Sequence, residues 1–112
     1  MYARVITVQV RPDKFVDAHR LLTEHALPFA ERQSGYKGYL VLHDPASGKA
    51  LQITLWESEA ANILAASREE VQGINAQFYP LLVPGQGGAE GFDVVVDTLA
   101  KPSRKVYCLD NA

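Results

Sequence analysis

Between Tyr2 and Val10 the chain is dominated by β-branched residues, and the run stops at Arg11-Pro12, the pattern of a strand. Pro12 suits the first turn of a helix, where a missing N–H costs nothing. Apolar residues then recur at Phe15, Ala18, Leu22 and Phe29, with Val16, Leu21 and Ala26 alongside. This spacing predicts an amphipathic helix reaching about Gln33, with a kink at Pro28 and a stop at Ser34-Gly35. Tyr36 to His43 and Ala50 to Trp56 read as two strands. Asp44-Pro45-Ala46-Ser47-Gly48 is turn chemistry between them, so they form a hairpin. Ser58 caps a second helix that begins at Glu59. Ser67-Arg68-Glu69-Glu70 has capping-box spacing, which breaks and restarts that helix. The restart puts Val71, Ile74, Phe78 and Leu82 on one stripe, closed by Pro80 and Pro84. The glycine-rich run from Gly85 to Gly91 reads as a flexible loop and Phe92 to Thr98 as a fourth strand. The tail, Ala100 to Ala112, reads either as a short edge strand around Val106-Tyr107-Cys108-Leu109 or as a disordered end.

Strand, helix, strand, strand, helix, strand is the order of an α+β, ferredoxin-like β-α-β-β-α-β domain. It covers residues 1–99, with 100–112 as a C-terminal tail. Right-handed crossovers place both helices on one face of a four-stranded antiparallel sheet. Alternation along the strands divides each into two sets. Tyr2, Ile6, Val8 and Val10 oppose Ala3, Val5, Thr7 and Gln9. Leu51, Ile53 and Leu55 oppose Gln52, Thr54 and Trp56. Tyr36, Leu40 and Leu42 oppose Tyr39 and Val41. Both faces carry apolar bulk. On this reading Trp56, Tyr39, Val41 and Val5 form a patch on the uncovered face that a second copy of the chain covers. The alternative is a modestly apolar face on a monomer.

The length of 112 residues fits one domain with one core. A net charge of −2 gives no pull toward nucleic acid or an anionic membrane. Cys108 is the only cysteine, which rules out a disulfide within the chain and a cysteine-based zinc site. No apolar run approaches the roughly 20 residues of a membrane span. Arg4, Arg11, Asp13 and Lys14 interrupt any signal-peptide core. A cytoplasmic protein is expected.

Four segments then carry a resemblance. They are Met1-Tyr2-Ala3-Arg4-Val5, Gly35-Tyr36-Lys37-Gly38, Asp44-Pro45-Ala46-Ser47-Gly48-Lys49 and Leu55-Trp56-Glu57-Ser58-Glu59. Over residues 2–98 the chain resembles the antibiotic biosynthesis monooxygenase family of the dimeric α/β-barrel superfamily. That resemblance implies a homodimer. Some members of the family insert oxygen into phenolic or quinol-type substrates without metal or flavin, and some degrade haem. The haem-degrading branch uses an Asn in the first strand, a Trp in the second helix and a His further on. Those positions fall approximately at Ile6, at Leu64 or Ala65, and at Asn75, so none of the three residue types is present. The implied activity is a cofactor-independent monooxygenase of aromatic, polyketide-like phenols or quinols, with molecular oxygen as co-substrate and no cofactor. The alternative is a non-catalytic dimer of the same fold that binds a small apolar or aromatic ligand or serves a stress or accessory role. An isomerase or decarboxylase is a third reading, since fold does not fix function.

Cofactor-free oxygenation needs an apolar cavity, a base that makes the electron-rich phenolate or enolate, and donors for the developing oxyanion. The cavity is expected between helices and sheet. His25 shares a face with Ala18, Leu22 and Phe29 and is the candidate base; its other reading is a buried histidine bonded to a backbone carbonyl. Asn75 lies on the stripe with Val71 and Phe78 and is the candidate oxyanion donor, or a structural amide at the stripe's edge. Tyr36, Arg4 and Tyr79 are candidate substrate-binding donors, each also readable as a solvated tip over an apolar body. Phe29 and Phe78 are candidate apolar walls. Trp56 is assigned to the dimer core. His19 falls toward the polar side of its helix and His43 at a strand end, so the histidines have no metal-ligand spacing. The glycine loop fails the dinucleotide fingerprint, because Glu90 stands where its third glycine belongs.

Overall fold

The computed structural model describes residues 1–99. The proposed tail and Cys108 lie outside the described residues. The β-branched opening segment forms β1 (Tyr2–Gln9), a central strand that pairs antiparallel with β3 (Lys49–Trp56) on one side and β4 (Gly88–Asp93) on the other. With β2 (Tyr36–His43) at the far edge, the order is β2-β3-β1-β4. The helices cover one face, which is the ferredoxin-like arrangement the element order predicts. The β2–β3 hairpin turns on Asp44, whose carboxylate accepts from the Ala46 N–H at 3.0 Å and the Ser47 hydroxyl at 2.9 Å.

β4 starts earlier and ends earlier than the pattern predicts. The glycines read as a loop belong to the strand or to its entry, because β4 lies very close to β1. A side chain at Gly91 would strike the Tyr2 ring. At Gly87, with φ at +102°, it would strike the Thr7 carbonyl. Val94 still donates to the Met1 carbonyl at 2.8 Å, but Val95 and Val96 run on past the ladder.

The first helix begins at Phe15, with Pro12 in the turn before it. It is one rod in three parts: α1 (Phe15–Leu21), a π-helical turn (Leu22–Ala26) and α2 (Leu27–Glu31). Pro28 has no N–H to give to the carbonyl one α-turn back. The backbone absorbs this by widening, and Leu27 donates to Leu22, five residues earlier. Gly35, at φ +86°, closes the helix exit where a side chain would meet Ala61. Ser58 caps α3 (Glu59–Ala66), accepting from the Ala61 N–H at 3.1 Å. The capping box does not form. Ser67 instead donates back to the Leu64 carbonyl at 2.6 Å and ends α3, and α4 (Glu69–Phe78) starts without a side-chain cap.

Pairing register settles which residues share a face. Arg4 lies opposite Thr54, Ile6 opposite Gln52 and Val8 opposite Ala50, while Tyr39 and Val41 lie opposite Thr54 and Gln52. Trp56, Tyr39 and Val41 therefore lie beneath the helices, and Val5 lies on the other side. The predicted patch straddled two faces, because alternation within one strand says nothing about its phase against the next. The open face is built instead from Val5, Leu40, Leu42, Ile53, Leu55 and Phe92. A bulge between Tyr36 and Gly38 moves Tyr36 to the covered face, where it packs edge-on against Trp56 at 6.2 Å. The core clusters around Val10, Ala18 and Ala50 with Val8, Phe78, Leu81 and Leu82 against it. Among the described residues no large side chain is fully buried. The space between sheet and helices is hollow rather than filled.

Candidate ligand cavity

That hollow is a cavity of about 720 Å³, a size that suits a polycyclic or similarly sized organic ligand. Its floor is the covered face of the sheet, with Arg4, Tyr39, Gln52, Thr54 and Trp56. Phe15, His19, Leu22 and Phe29 form one wall. Asn62, Ile74, Asn75 and Phe78 close it from α3 and α4.

The polar groups of the floor hold one another in fixed roles. Trp56 is 4% exposed, and its Nε1 donates to Thr54 Oγ1 at 2.9 Å. Its indole is thus a wall with its one polar atom already used. The Gln52 amide donates to the Tyr39 hydroxyl, whose own hydrogen remains free to donate. Burial pushes the Tyr39 phenol far above its ordinary pKa, and nearby Tyr36 adds to the effect against the Gln52 hydrogen bond. Tyr39 is therefore a donor at neutral pH and not a base.

Two lining groups lack protein partners. Asn62 is 4% exposed, and its side-chain amide has no hydrogen bond among the described residues. A buried amide left bare costs roughly 1–3 kcal/mol, which leaves water or a guest in the cavity to partner it. Arg4 is half-buried and has no ion pair or hydrogen bond among the described residues, where the salt bridges are Arg20–Asp17 and Arg32–Glu70. Among the described residues no Asp or Glu lines the cavity. At the mouth, Phe15 stacks on His43 at 4.1 Å and tilts against His19 at 5.9 Å. Among the described residues no three His, Cys, Asp or Glu side chains converge as a metal site requires.

Of the residues predicted for the site, Arg4, Phe29, Asn75, Phe78 and Tyr79 line the cavity. Asn75 and Tyr79 do so from its exposed rim. Tyr36 does not line it, being engaged with Trp56. His25 is exposed and outside the lining. The cause is the π turn: each revolution takes more residues, so a step of three from Leu22 falls short and a step of four reaches Ala26. His19, before that turn, is the histidine of this helix that lines the cavity, and it does so from the exposed mouth. Asn62 was legible by the logic applied to Asn75, a lone amide within Ala60-Ala61-Asn62-Ile63-Leu64. Tyr39, Gln52 and Thr54 carried no such signal, because their face depends on register.

A ferredoxin-like sheet roofed by helices over a ligand-sized cavity defines a small α+β domain of the ferredoxin-like class. The chain belongs to the antibiotic biosynthesis monooxygenase family, which it matches over residues 1–75. Among solved structures it is similar to Rv0793 from Mycobacterium tuberculosis, at 17% identity and TM-score 0.70, covering 86% of this chain and 96% of that one. It is also similar to a provisionally named antibiotic biosynthesis monooxygenase from Caulobacter crescentus, at 19% identity and TM-score 0.74, covering 85% and 90%. A third is NE2512 from Nitrosomonas europaea, a protein of unknown function, at 17% identity and TM-score 0.71, covering 89% and 94%. At these identities the likeness speaks for the fold alone. No curated protein matched the chain. Among the described residues no helix is long and apolar enough to cross a membrane.

Proposed function

We propose that the chain is a cofactor-independent monooxygenase that oxidises a phenol- or quinol-type aromatic in this cavity. One observation carries the reading: an apolar, ligand-sized cavity contains an unpaired guanidinium, a bare amide and no carboxylate. Such a site favours a negatively charged ring over a neutral one. Deprotonation is the step that makes an aromatic of this kind reactive toward oxygen. In this reading His19 takes the proton, Asn62 holds the resulting oxyanion, and the positive charge of Arg4 favours the anionic ring. The Tyr39 hydroxyl supplies a further donor. The ring's electrons then pass to oxygen, one C–O bond forms, and loss of water leaves a carbonyl. A ring CH2 plus O2 becomes C=O plus H2O.

Oxygen uptake with a panel of anthrones and quinols tests this. We expect one O2 consumed per quinone formed, and a fall of about a hundredfold to a thousandfold in kcat for Asn62→Ala, the range for loss of one oxyanion donor. His25→Ala should retain full activity. Ligand binding without oxygen consumption across the panel would leave a binding protein in place of an enzyme.

The same reading includes a homodimer. Leu40, Leu42 and Phe92 are 54%, 45% and 49% exposed on the open face, beside Val5, Ile53 and Leu55. An aliphatic sheet face of this extent is best covered by its counterpart on a second copy.

A further inference from the structure

We infer that the ligand of this cavity enters already anionic, as a flat aromatic ring bearing a carboxylate that Arg4 clasps. This rests on the reading of the cavity as an aromatic-ligand site and deepens it. The charge pattern leads there. The chain as a whole is net negative at −2, yet among the described residues the cavity lining has one formal positive charge, two histidines and no acid. Arg4 lies on central β1 opposite Thr54 on one side and Gly91 on the other, so its side chain rises from the middle of the floor. Neither neighbour can neutralise it. Thr54 already accepts from Trp56, and Gly91 has no side chain.

A guanidinium kept half out of water with no counter-charge is unfavourable in the empty protein and favourable once an anion arrives. Its planar fork matches a carboxylate with two parallel N–H···O bonds, which a single phenolate oxygen cannot provide. Asn62 and Tyr39 then serve a second oxygen on the ring, and Phe29, Phe78 and Trp56 enclose the hydrocarbon. A neutral phenol of the same size would fill the walls and leave Arg4 uncompensated. The cavity therefore selects aromatic acids over their uncharged analogues.

Two probes differing by one carboxylate, 1-hydroxy-2-naphthoate and 1-naphthol, separate the possibilities in calorimetric titrations of the full chain. Trp56, the only tryptophan and part of the cavity floor, reports occupancy by fluorescence. The acid is expected to bind about thirtyfold tighter than the naphthol, the range of a charge-assisted pair. Raising the salt should weaken the acid alone. Arg4→Gln should abolish the difference by weakening the acid, and an unchanged circular-dichroism melting curve certifies that the variant is folded. Arg4→Lys should retain part of it. Equal affinity of the unmodified protein for both probes, insensitive to salt, overturns the inference and leaves the cavity reading standing. Binding of neither probe, with no change at Trp56, overturns the cavity reading itself.

Discussion

The two faces of the sheet are patterned the opposite way from a simple half-covered sheet. In such a sheet the face under the helices is apolar and the open face is polar. Here the covered face carries Arg4, Tyr39, Gln52 and Thr54 among its apolar residues. The open face is largely apolar through its middle, where Thr7 is the one polar side chain of β1 before Gln9, and its charged members sit toward the margins, with Glu90 on the edge strand and Lys49 at one end. Each inversion has its own meaning. Polar groups beneath helices persist only where they bond one another or meet a ligand, as Gln52 with Tyr39 and Thr54 with Trp56 do and as Arg4 and Asn62 do not. Aliphatic groups on an outer face persist where another surface covers them. On the proposed reading one face is a floor for chemistry and the other a surface for association.

The largest effect that tests this contrast is on association. Replacing Leu40 and Leu42 together by lysine should weaken self-association at least about a hundredfold, because two apolar contacts per chain become charges at a buried seam. Sedimentation at micromolar concentration checks it. A compact single chain in the unmodified protein would break the contrast outright, since the open face would then need no cover.

The covered face predicts a smaller effect, visible only in alkali. Folding holds the proton on Tyr39 beyond the ordinary tyrosine pKa of 10.0. Below that pH both folded and unfolded chains keep it. Above it only the folded chain does, so stability falls as pH rises, by at most about 1.4 kcal/mol per pH unit. Tyr39→Phe should lose about 1 kcal/mol at neutral pH, where Gln52 loses its acceptor, and should flatten the alkaline decline. Tyr36, also raised by burial and by Glu31, leaves a residual slope. Urea unfolding on both sides of that pKa measures each part. An unchanged slope would mean that Tyr39 is not shielded.

The smallest effect belongs to neither face. Arg32 and Glu70 form a 2.8 Å ion pair between the end of the first helix and α4, with both side chains more than half exposed. Arg32→Ala should cost no more than about 0.5–1 kcal/mol and vanish as a difference at high salt. A larger loss would show that α4 depends on this contact.

How much of this could be read from the residues follows from where each property is encoded. Strands β1, β2 and β3 and both helical regions are written locally, in β-branched runs, a 3.6-residue period and turn residues, and each forms close to where its pattern lies. The two faces are not local. They depend on the pairing of Arg4 with Thr54 and on a bulge at Tyr36, neither of which one strand can disclose. β4 was hidden because glycine has two uses, and Gly87 and Gly91 serve close packing against Thr7 and Tyr2, where a loop reading assumes flexibility. His19 took the place expected of His25 because Pro28 signalled a disturbance without signalling its form. A kink and a π turn have the same cause and shift the helix phase differently. Arg4 and Asn75 were legible as polar residues among apolar ones, and Asn62 carried the same mark.

α4 is the most lightly held of the elements that close the cavity. This ten-residue helix has no buried residue, begins without a cap and is anchored mainly through Phe78 and the Tyr79–Leu81 turn that follows it. Swinging it outward about the Ser67-Arg68 junction would expose little apolar surface, so α4 is a wall that can yield to a guest without opening the core. A guest that spans from Arg4 to Asn75 would tie the floor to this loosest wall and slow that swing, making the helix itself a gauge of occupancy.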